Sequence, residues 1–355
     1  MFAITGGGTG GHLAIAKALA ESIRARGEEA IYIGSCMGQD KAWFEGSELF
    51  TQSYFLDSTG VVNKRGLARL GALFKQLKGA LHARKILKNH QVRCVISVGG
   101  FSAGGASMGA LIARIPLFIH EQNAIKGKLN EILTPFARAV FGSFTPKDSR
   151  HFIHTSYPVR DEFFAHARTR KEVKKLLFLG GSQGAKGIND FALSLTPLLL
   201  ERGISVAHQC GERDFERVSA AYRAAGLSER VELFAFDKNL VARLSEADLC
   251  VARSGASSLW EMSANGLLGV YVPYPHAAKD HQYFNAKSFS DEGLGLTLRE
   301  GELDSQSVLK FIESMNAKDS KGISALESLS HQMRQKIKPQ GAEEILQHIH
   351  ALLHR

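Results

Sequence analysis

Two glycine-rich loops, each lying between a predicted strand and a predicted helix, constrain the fold of this 355-residue chain more than any other feature. The first loop, residues 6–11, follows an apolar segment at residues 2–5 and precedes a helical pattern over residues 13–26. The second loop, residues 180–185, follows an apolar segment at residues 176–179 and precedes a helix that starts near Ile188. Because strands that alternate with helices form parallel sheets, the repeat predicts an α/β chain with two doubly wound parallel-sheet domains.

The remaining apolar segments extend both predicted sheets. Further strands are expected at residues 30–33, 94–98 and 117–120, and in the second half at residues 205–209, 231–234, 249–252 and 270–273. Tyr157-Pro158 separates the halves, so we expect domains at residues 1–157 and 158–339. A last helix with one apolar face, residues 340–355, is expected to pack back on the first domain.

The composition is that of a globular chain, since 44% of the residues are hydrophobic and 22% are charged. The four cysteines lie far apart without a Cys-x-x-Cys pair, which predicts buried free thiols rather than disulfides or a zinc site. No segment resembles a signal peptide, and the longest uncharged run, residues 95–113, is interrupted by glycines and serines. We therefore expect a soluble cytoplasmic protein.

The net charge of +9 is unevenly distributed, because residues 58–120 contain ten Lys or Arg and no Asp or Glu. Such a basic stretch is suited to nucleic acid, to anionic lipid or to a phosphorylated ligand. Within it, apolar residues recur at helical spacing. This stripe predicts either a core-facing helix or one that docks at a membrane surface. Its members are Leu67, Leu70, Leu73, Phe74, Leu77 and Leu81.

The first glycine loop matches the spacing of a dinucleotide-binding fingerprint but lacks the rest of that signature. No acid closes the second predicted strand to bind a ribose, because Gly34 and Ser35 stand there. No Walker lysine follows Gly11 either, since the next residue is His12. The loop therefore favours another anion, held by backbone N–H groups and the helix dipole, over NAD or ATP.

The second domain carries a turn that opens a helix after the strand at residues 249–252, and Glu261 follows on the second helical turn. A carboxylate there can accept both hydroxyls of a ribose while N–H groups at the helix start bind a diphosphate; the alternative is an ordinary surface glutamate. A polar run, Asp280-His281-Gln282, lies beyond the last strand, at the edge where α/β sheets bind ligands. No Asp-x-Asp occurs, which favours a metal-free site that uses Arg and helix dipoles.

A set of short motifs occurs in order between residues 6 and 285. They are Gly7-Gly8-Thr9-Gly10-Gly11-His12, Gly99-Gly100-Phe101-Ser102-Ala103-Gly104, His120-Glu121-Gln122-Asn123, Tyr157-Pro158-Val159-Arg160, residues 180–185, residues 253–261 and Asp280-His281-Gln282. Together they resemble the MurG family of inverting N-acetylglucosaminyl transferases of peptidoglycan synthesis. The resemblance implies a GT-B fold, in which two Rossmann-like domains face each other across a cleft, and no cofactor.

The resemblance also implies the substrates. UDP-GlcNAc would bind the C-terminal domain, and lipid I would bind the N-terminal domain at the cytoplasmic face of the bacterial inner membrane. Transfer of GlcNAc to the MurNAc C4 hydroxyl would give lipid II. The protein would be peripheral, would meet anionic inner-membrane lipid through Leu67, Leu70, Phe74 and Leu77, and would bind no nucleic acid.

Carried over residue by residue, the resemblance implies a set of binding residues. Arg160 and Ser182 would contact the diphosphate, Glu261 the ribose, and Gln282 the GlcNAc hydroxyls. The turn around the donor would comprise Ala256, Ser257, Ser258, Leu259, Trp260 and Glu261. Thr9, Gly10, Gly11 and Asn123 would face the sugar and the acceptor phosphates. Asp237 stands where the family has an isoleucine that contacts uracil, and Leu13, Tyr157 and Gly105 also depart from the family pattern.

An inverting transfer needs a base for the attacking hydroxyl and positive charge for the leaving diphosphate. His12 is the best-placed base, because its imidazole lies at a phosphate loop; Glu121 and His120 are rivals, and binding of the acceptor phosphate is the alternative role for His12. Two other functions remain open at this point. One is a sugar-nucleotide epimerase of the same fold, and the other is a non-catalytic protein that binds anions or nucleic acid through residues 58–120.

Overall fold

The computed structural model describes residues 1–57, 66–144, 151–180 and 184–354, and for residues 66–74 it describes the backbone only. The chain divides into two compact units, Met1–Val159 together with Gln340–Arg355, and Arg160–Pro339. Each unit has one sheet whose described strands all pair in parallel. The prediction of two doubly wound parallel-sheet domains is therefore confirmed.

The first unit contains a seven-stranded sheet with the order β3-β2-β1-β4-β5-β6-β7. Its strands are β1 (Phe2–Thr5), β2 (Ala30–Ser35), β3 (Gln52–Leu56), β4 (Cys94–Ser97), β5 (Leu117–Glu121), β6 (Ala139–Gly142) and β7 (Phe152–His154). Its helices are α1 (Gly10–Ala25), α2 (Asp40–Phe44), α3 (Gly66–Asn89), α4 (Ala103–Ala113), α5 (Lys128–Leu133) and the last helix of the chain, α14 (Gly341–Leu353). The strand order reverses between β1 and β4, so the loops after these strands lie together at the carboxyl edge.

The second unit contains a six-stranded sheet with the order β10-β9-β8-β11-β12-β13. Its strands are β8 (Lys175–Leu179), β9 (Ser205–Gln209), β10 (Val231–Phe234), β11 (Leu249–Ala252), β12 (Gly269–Tyr271) and β13 (Gly295–Thr297). Its helices are α6 (Asp161–Ala165), α7 (Lys186–Glu201), α8 (Phe215–Ala224), α9 (Leu240–Glu246), α10 (Ala256–Asn265), α11 (His281–Ser290), α12 (Ser305–Asn316) and α13 (Ala325–Gln335). Here the order reverses between β8 and β11, which places α7 and α10 at the switch point.

Four strands, β3, β6, β7 and β13, were not expected from the sequence. Two of them, β3 and β7, form the edges of the first sheet and are only partly buried, so their apolar patterns are weak. The start of α1 also differs from the prediction, because the helix begins at Gly10 rather than at residue 13. Thr9 adopts the extended backbone of an N-cap, and Gly10 and Gly11 therefore belong to the first helical turn.

The last helix, α14, packs against the first unit. Its side chains Ile345, Leu346 and Ile349 are fully buried, which accounts for the apolar face that the sequence shows. Glu343 accepts hydrogen bonds from Ser22 and from the Arg26 guanidinium, and that ion pair lowers the pKa of Glu343 to about 2. These contacts tie the end of the chain to α1.

Three cysteines, Cys94, Cys210 and Cys250, are buried free thiols as predicted, whereas Cys36 is exposed. In the parts of the chain that the structure describes, no helix is both long enough and apolar enough to cross a membrane.

Candidate active site

The first unit has a candidate site where two glycine loops, residues 6–11 and 99–104, meet after the neighbouring strands β1 and β4. The Gly7 N–H donates to the Gly99 carbonyl at 3.1 Å. A Cβ added at Gly6 would lie 2.4 Å from the Gly99 oxygen, and one added at Gly100 would lie 2.1 Å from the Gly7 oxygen. The two backbones therefore touch at a separation that no side chain allows, and this contact fixes the start of α1.

His12 lies in the first turn of α1, half-buried, with both ring nitrogens within hydrogen-bond distance of polar side chains. Its Nδ1 is 2.9 Å from the Thr9 hydroxyl, and its Nε2 is 3.0 Å from the Gln122 amide nitrogen. The Thr9 hydroxyl and the Gln122 amide thus hold the imidazole at both ring nitrogens. In its neutral form this imidazole can take a proton at Nε2 from a hydroxyl that displaces Gln122. Gln122 belongs to the His120-Glu121-Gln122-Asn123 motif, but the sequence alone indicates no role for it.

The rival base Glu121 is buried, and its carboxylate accepts hydrogen bonds from three donors. Its carboxylate accepts from the Asn123 N–H at 3.0 Å, the Gly127 N–H at 2.9 Å and the Asn130 amide at 2.8 Å. Burial raises the pKa of Glu121, while these hydrogen bonds oppose the rise. The carboxylate thus orders the loop that presents Gln122 and Asn123, and the structure argues against the expectation that it is an alternative base.

The other rival, His120, has no exposed surface. Burial, assisted by the nearby His12, lowers the pKa of His120 to about 3, so that this imidazole is neutral at pH 7. It packs edge-on against the Tyr157 ring at 5.7 Å. Of the three candidates, Glu121 and His120 are buried, whereas His12 is partly exposed.

The Arg160–Pro339 unit has a candidate site of its own at the N-terminus of α10. Gly255 is the N-cap, and the N–H groups of the first turn that follows have no acceptor within the helix. Ser258 from this turn lines a cavity of about 350 Å³. The other lining residues are Arg160, Leu179, Gln209, Phe236, Asp237, Lys238, Leu240, Ala252 and Arg253. Three cations, Arg160, Lys238 and Arg253, and a helix N-terminus around one cavity favour an anionic ligand.

Two residues of this turn, Leu259 and Trp260, have side chains in the core. Leu259 is fully buried and Trp260 is 3% exposed, with its ring 5.2 Å from that of Phe289. The Leu259 N–H also bonds to the Gly255 carbonyl inside the helix. Leu259 and Trp260 therefore anchor α10 in the core rather than line a ligand site, whereas Ser257 and Ser258 are partly exposed and Ala256 opens the helix.

Glu261 has an unusual protonation behaviour. Burial is the main cause that raises the pKa of its carboxyl to about 7, with Arg160 opposing the rise and Glu162 adding to it. Arg160 and Glu162 form an ion pair at 2.6 Å. A carboxyl that ionises near neutral pH is typical of a functional site, because a ligand that donates hydrogen bonds compensates the cost of its burial.

Two further predicted residues already have partners within the unit. Gln282 accepts the Tyr274 N–H at its side-chain oxygen at 2.9 Å, which leaves its amide nitrogen as the donating group. Asp237 lines the cavity but pairs with Arg243 at 2.6 Å, and this ion pair lowers the pKa of Asp237. Ser182 lies outside the described residues. Among those described, no group of three His, Cys, Asp or Glu residues is arranged to hold a metal ion.

Sequence reasoning missed the residues beneath the first glycine loop. Asp40, fully buried at the start of α2, accepts the Gly8 N–H at 2.7 Å, and Tyr32 donates to the same carboxylate. No fingerprint places an acid at this position. The only sequence signal for this role is the position of Asp40, five residues after the end of β2, the strand next to β1.

Both units match models of one enzyme class. Residues 2–142 match the glycosyltransferase family 28 N-terminal domain, and residues 175–345 match the glycosyltransferase family 28 C-terminal domain. The chain therefore belongs to glycosyltransferase family 28.

Individual relatives are similar over their full length. The chain is 66% identical over 353 residues to the UDP-N-acetylglucosamine--N-acetylmuramyl-(pentapeptide) pyrophosphoryl-undecaprenol N-acetylglucosamine transferase of Helicobacter hepaticus, with 99% of each chain covered. It is 51% identical over 348 residues to the protein of the same name from Helicobacter pylori strain HPAG1, covering 98% of this chain and 99% of that one. The crystal structure of Acinetobacter baumannii MurG superposes with a TM-score of 0.78 at 25% identity, covering 99% of both chains. The resemblance to the MurG family and the prediction of a glycosyltransferase are confirmed.

We expect the Glu261 carboxyl to titrate near pH 7 in the free protein, as ¹³C NMR of glutamate-labelled protein measures by difference from Glu261→Gln. Arg160→Gln removes a cation and moves the midpoint up, whereas Glu162→Gln removes an anion and moves it down. Because the native pKa lies above the ordinary value of 4.5, the stability from this group is complete below pH 4.5 and is lost as the pH rises through 7. A midpoint below about 5 would show that the carboxyl is solvated.

Proposed function

We propose that this chain transfers GlcNAc from UDP-GlcNAc to the C4 hydroxyl of MurNAc in lipid I, giving lipid II. The observation that carries the proposal is the cavity at the α10 N-terminus, where Arg160, Arg253 and the N–H groups of the first helical turn suit a diphosphate. Glu261, three residues beyond Ser258 on the same helix, suits the hydroxyls of a ribose. The names of the Helicobacter relatives support the same donor and acceptor.

The two units have different roles in this proposal. The Arg160–Pro339 unit binds UDP-GlcNAc through Ser257, Ser258, Glu261 and Gln282, with Ser182 on the second glycine loop as a further candidate. The unit that contains His12 binds the acceptor. In it, the N–H groups of Gly10 and Gly11, exposed at the helix start, face the acceptor phosphates, together with Thr9 and Asn123.

The reaction is a single in-line displacement. His12 Nε2 takes the proton of the MurNAc C4 hydroxyl as its oxygen forms a bond to C1 of GlcNAc, while the C1–oxygen bond to the diphosphate breaks. The electron pair leaves with UDP, and the configuration at C1 inverts. Arg160 and the α10 N-terminus stabilise the charge that develops on the diphosphate.

A transfer assay tests this function directly. Labelled GlcNAc should pass from UDP-GlcNAc to a lipid I analogue, with equal rates with and without EDTA because Arg160, Arg253 and backbone N–H groups supply the positive charge. With UDP-GlcNAc alone, no epimerised sugar should appear. Turnover of the donor without an acceptor would instead identify a sugar-nucleotide epimerase, and loss of transfer in EDTA would overturn the metal-free mechanism.

His12→Ala should lower kcat by roughly 10²–10⁴-fold and leave the KM for UDP-GlcNAc unchanged, because the variant lacks the base but retains the donor cavity. The acidic limb of the pH–rate profile should also disappear. The control is His331→Ala, which removes an exposed imidazole on α13 and should be silent. A variant with normal kcat and a raised acceptor KM would show that His12 binds phosphate and is not the base.

We further propose that the first unit binds anionic membrane lipid through α3. Leu77 and Leu81 of the apolar stripe are 48% and 51% exposed, whereas Ala80, Ala83 and Leu87 of the same helix are buried. The described end of the stripe is therefore turned away from the core. The side chains of Leu67, Leu70 and Phe74 lie outside the described residues.

The basic charge beside this stripe is partly neutralised. Lys75 pairs with Asp57 at 3.0 Å, just before the acid-free stretch begins. Lys78 and Lys85 are exposed on the same helix. An exposed apolar stripe with lysines beside it is typical of peripheral binding at an anionic surface, which for a lipid-linked acceptor is the cytoplasmic face of the inner membrane.

The protein should sediment with vesicles of phosphatidylglycerol or cardiolipin at low salt, and much less with phosphatidylcholine. Leu77→Ser with Leu81→Ser should weaken this binding about tenfold or more, because each leucine contributes burial free energy at the headgroup boundary. Ile323→Ser is the matched control, since Ile323 is 39% exposed on the other unit. Equal binding of the double variant and the control would exclude α3 as the docking surface.

A further inference from the structure

A buried carboxylate holds the first glycine loop from below. Asp40 has no exposed surface and accepts three hydrogen bonds. Its Oδ2 accepts the Gly8 N–H at 2.7 Å, and its Oδ1 accepts the Ser35 N–H at 3.1 Å and lies 2.9 Å from the Tyr32 hydroxyl. A bond of 2.7 Å to an ionised acceptor belongs to the strong class of protein hydrogen bonds.

Tyr32 connects this carboxylate to the start of the same loop. Its hydroxyl lies 2.9 Å from the Gly6 carbonyl and 2.9 Å from Asp40, so that its proton serves two acceptors. Burial and the Asp40 charge raise the pKa of Tyr32 well above its ordinary value, which keeps the hydroxyl protonated. The ring is fixed by Phe44 and Phe50, at centroid distances of 4.5 and 5.3 Å.

These bonds change which groups of the loop can bind a ligand. The Gly7 N–H is used by Gly99 and the Gly8 N–H by Asp40. Two N–H groups of the loop, those of Gly7 and Gly8, are therefore bonded within the protein and do not face a ligand. The N–H groups left for an anion are those of the first α1 turn, which have no acceptor within the helix.

We propose that Asp40 and Tyr32 are positioning residues for the glycosyl transfer, which hold residues 6–8 so that Thr9, the first turn of α1 and His12 face the acceptor. This inference rests on the proposed function. Neither residue touches the substrate. The Asp40 carboxylate fixes Gly8, Gly8 directly precedes the Thr9 N-cap, and the Thr9 hydroxyl in turn holds His12 Nδ1.

The substitutions Tyr32→Phe and Asp40→Asn test this chain of contacts. Tyr32→Phe removes only the hydroxyl and keeps the ring between its aromatic neighbours. Asp40→Asn replaces one acceptor oxygen with a donor, so that either the Gly8 N–H or the Ser35 N–H faces another N–H group whichever way the amide turns. The matched control is Tyr54→Phe. The Tyr54 hydroxyl bonds to Gln52 and His90, and none of these three residues belongs to the glycine loops at residues 6–11 and 99–104.

We expect each test variant to lower kcat/KM for a lipid I analogue about tenfold or more, the effect of one lost hydrogen bond to a charged group. The KM for UDP-GlcNAc should stay within about twofold of the wild-type value, because the donor cavity belongs to the other unit. The double variant should lose less than the product of the single effects, since both changes release the same loop.

The outcomes separate this inference from the proposed function. Wild-type protein that transfers no GlcNAc to the acceptor would overturn the proposed function. Active wild-type protein, with Tyr32→Phe equal to Tyr54→Phe in both kinetic constants, would overturn the positioning role. A lowered melting temperature with unchanged kinetic constants would also overturn it, because it would show that Asp40 and Tyr32 only stabilise the fold. If Asp40→Asn does not fold, Tyr32→Phe decides alone.

Discussion

The direct contact between two peptide backbones at the carboxyl edge of the first sheet is the constraint on which the proposed acceptor site depends. Gly6 and Gly99 approach so closely that an added Cβ would overlap a carbonyl oxygen, and Gly100 meets Gly7 in the same way. Because α1 begins three residues after this contact, the direction of its N-terminus is set by it. The first glycine loop is thus held by two contacts. One is the contact with Gly99 and Gly100, and the other is the hydrogen bond from the Gly8 N–H to the buried Asp40 carboxylate.

The proposed donor site in the second unit depends on a different interaction, that of a buried arginine. Arg170 has no exposed surface, and its guanidinium donates to the carbonyls of Leu244, Ala247 and Asn265 and to the Asn265 side chain. Burial lowers the pKa of Arg170 to about 9, which still leaves it charged at pH 7. Since Asn265 ends α10, these bonds fix the helix at the end opposite to the cavity, and the buried Leu259 and Trp260 fix it along its length.

The sequence predicts elements whose signal is local, and it fails where the decisive contacts are distant in the chain. The strands β9, β10 and β11 occupy the residues expected from their apolar runs; β9 and β11 are interior strands of the sheet, whereas β10 is at its edge. The apolar spacing predicts a helix only from residue 13, because Thr9, Gly10 and Gly11 contribute no apolar side chain to the pattern. The role of Asp40 depends on burial and on the Gly8 N–H, which comes from a distant segment, and that of Glu121 depends on burial and on donors of the loop that follows it; no motif records either. Leu259 and Trp260 belong to a family motif, but a motif does not distinguish a residue that touches a ligand from one that anchors the helix.

The proposed membrane contact follows from a comparison of two contributions to the binding free energy. Burial of a leucine side chain contributes about 1.5–3 kcal/mol, whereas a lysine near an anionic surface contributes about 1 kcal/mol. Because Leu77 and Leu81 are already about half-buried in the free protein, docking gains only about half of that value for each, which is comparable to the contribution of Lys78 and Lys85. The pairing of Lys75 with Asp57 reduces the charge. The apolar stripe and the lysines therefore both contribute to how strongly the first unit is held, and the lysines determine which lipid it prefers. A chain with no spanning helix among its described residues can in this way keep its acceptor side at the surface where a lipid-linked substrate resides.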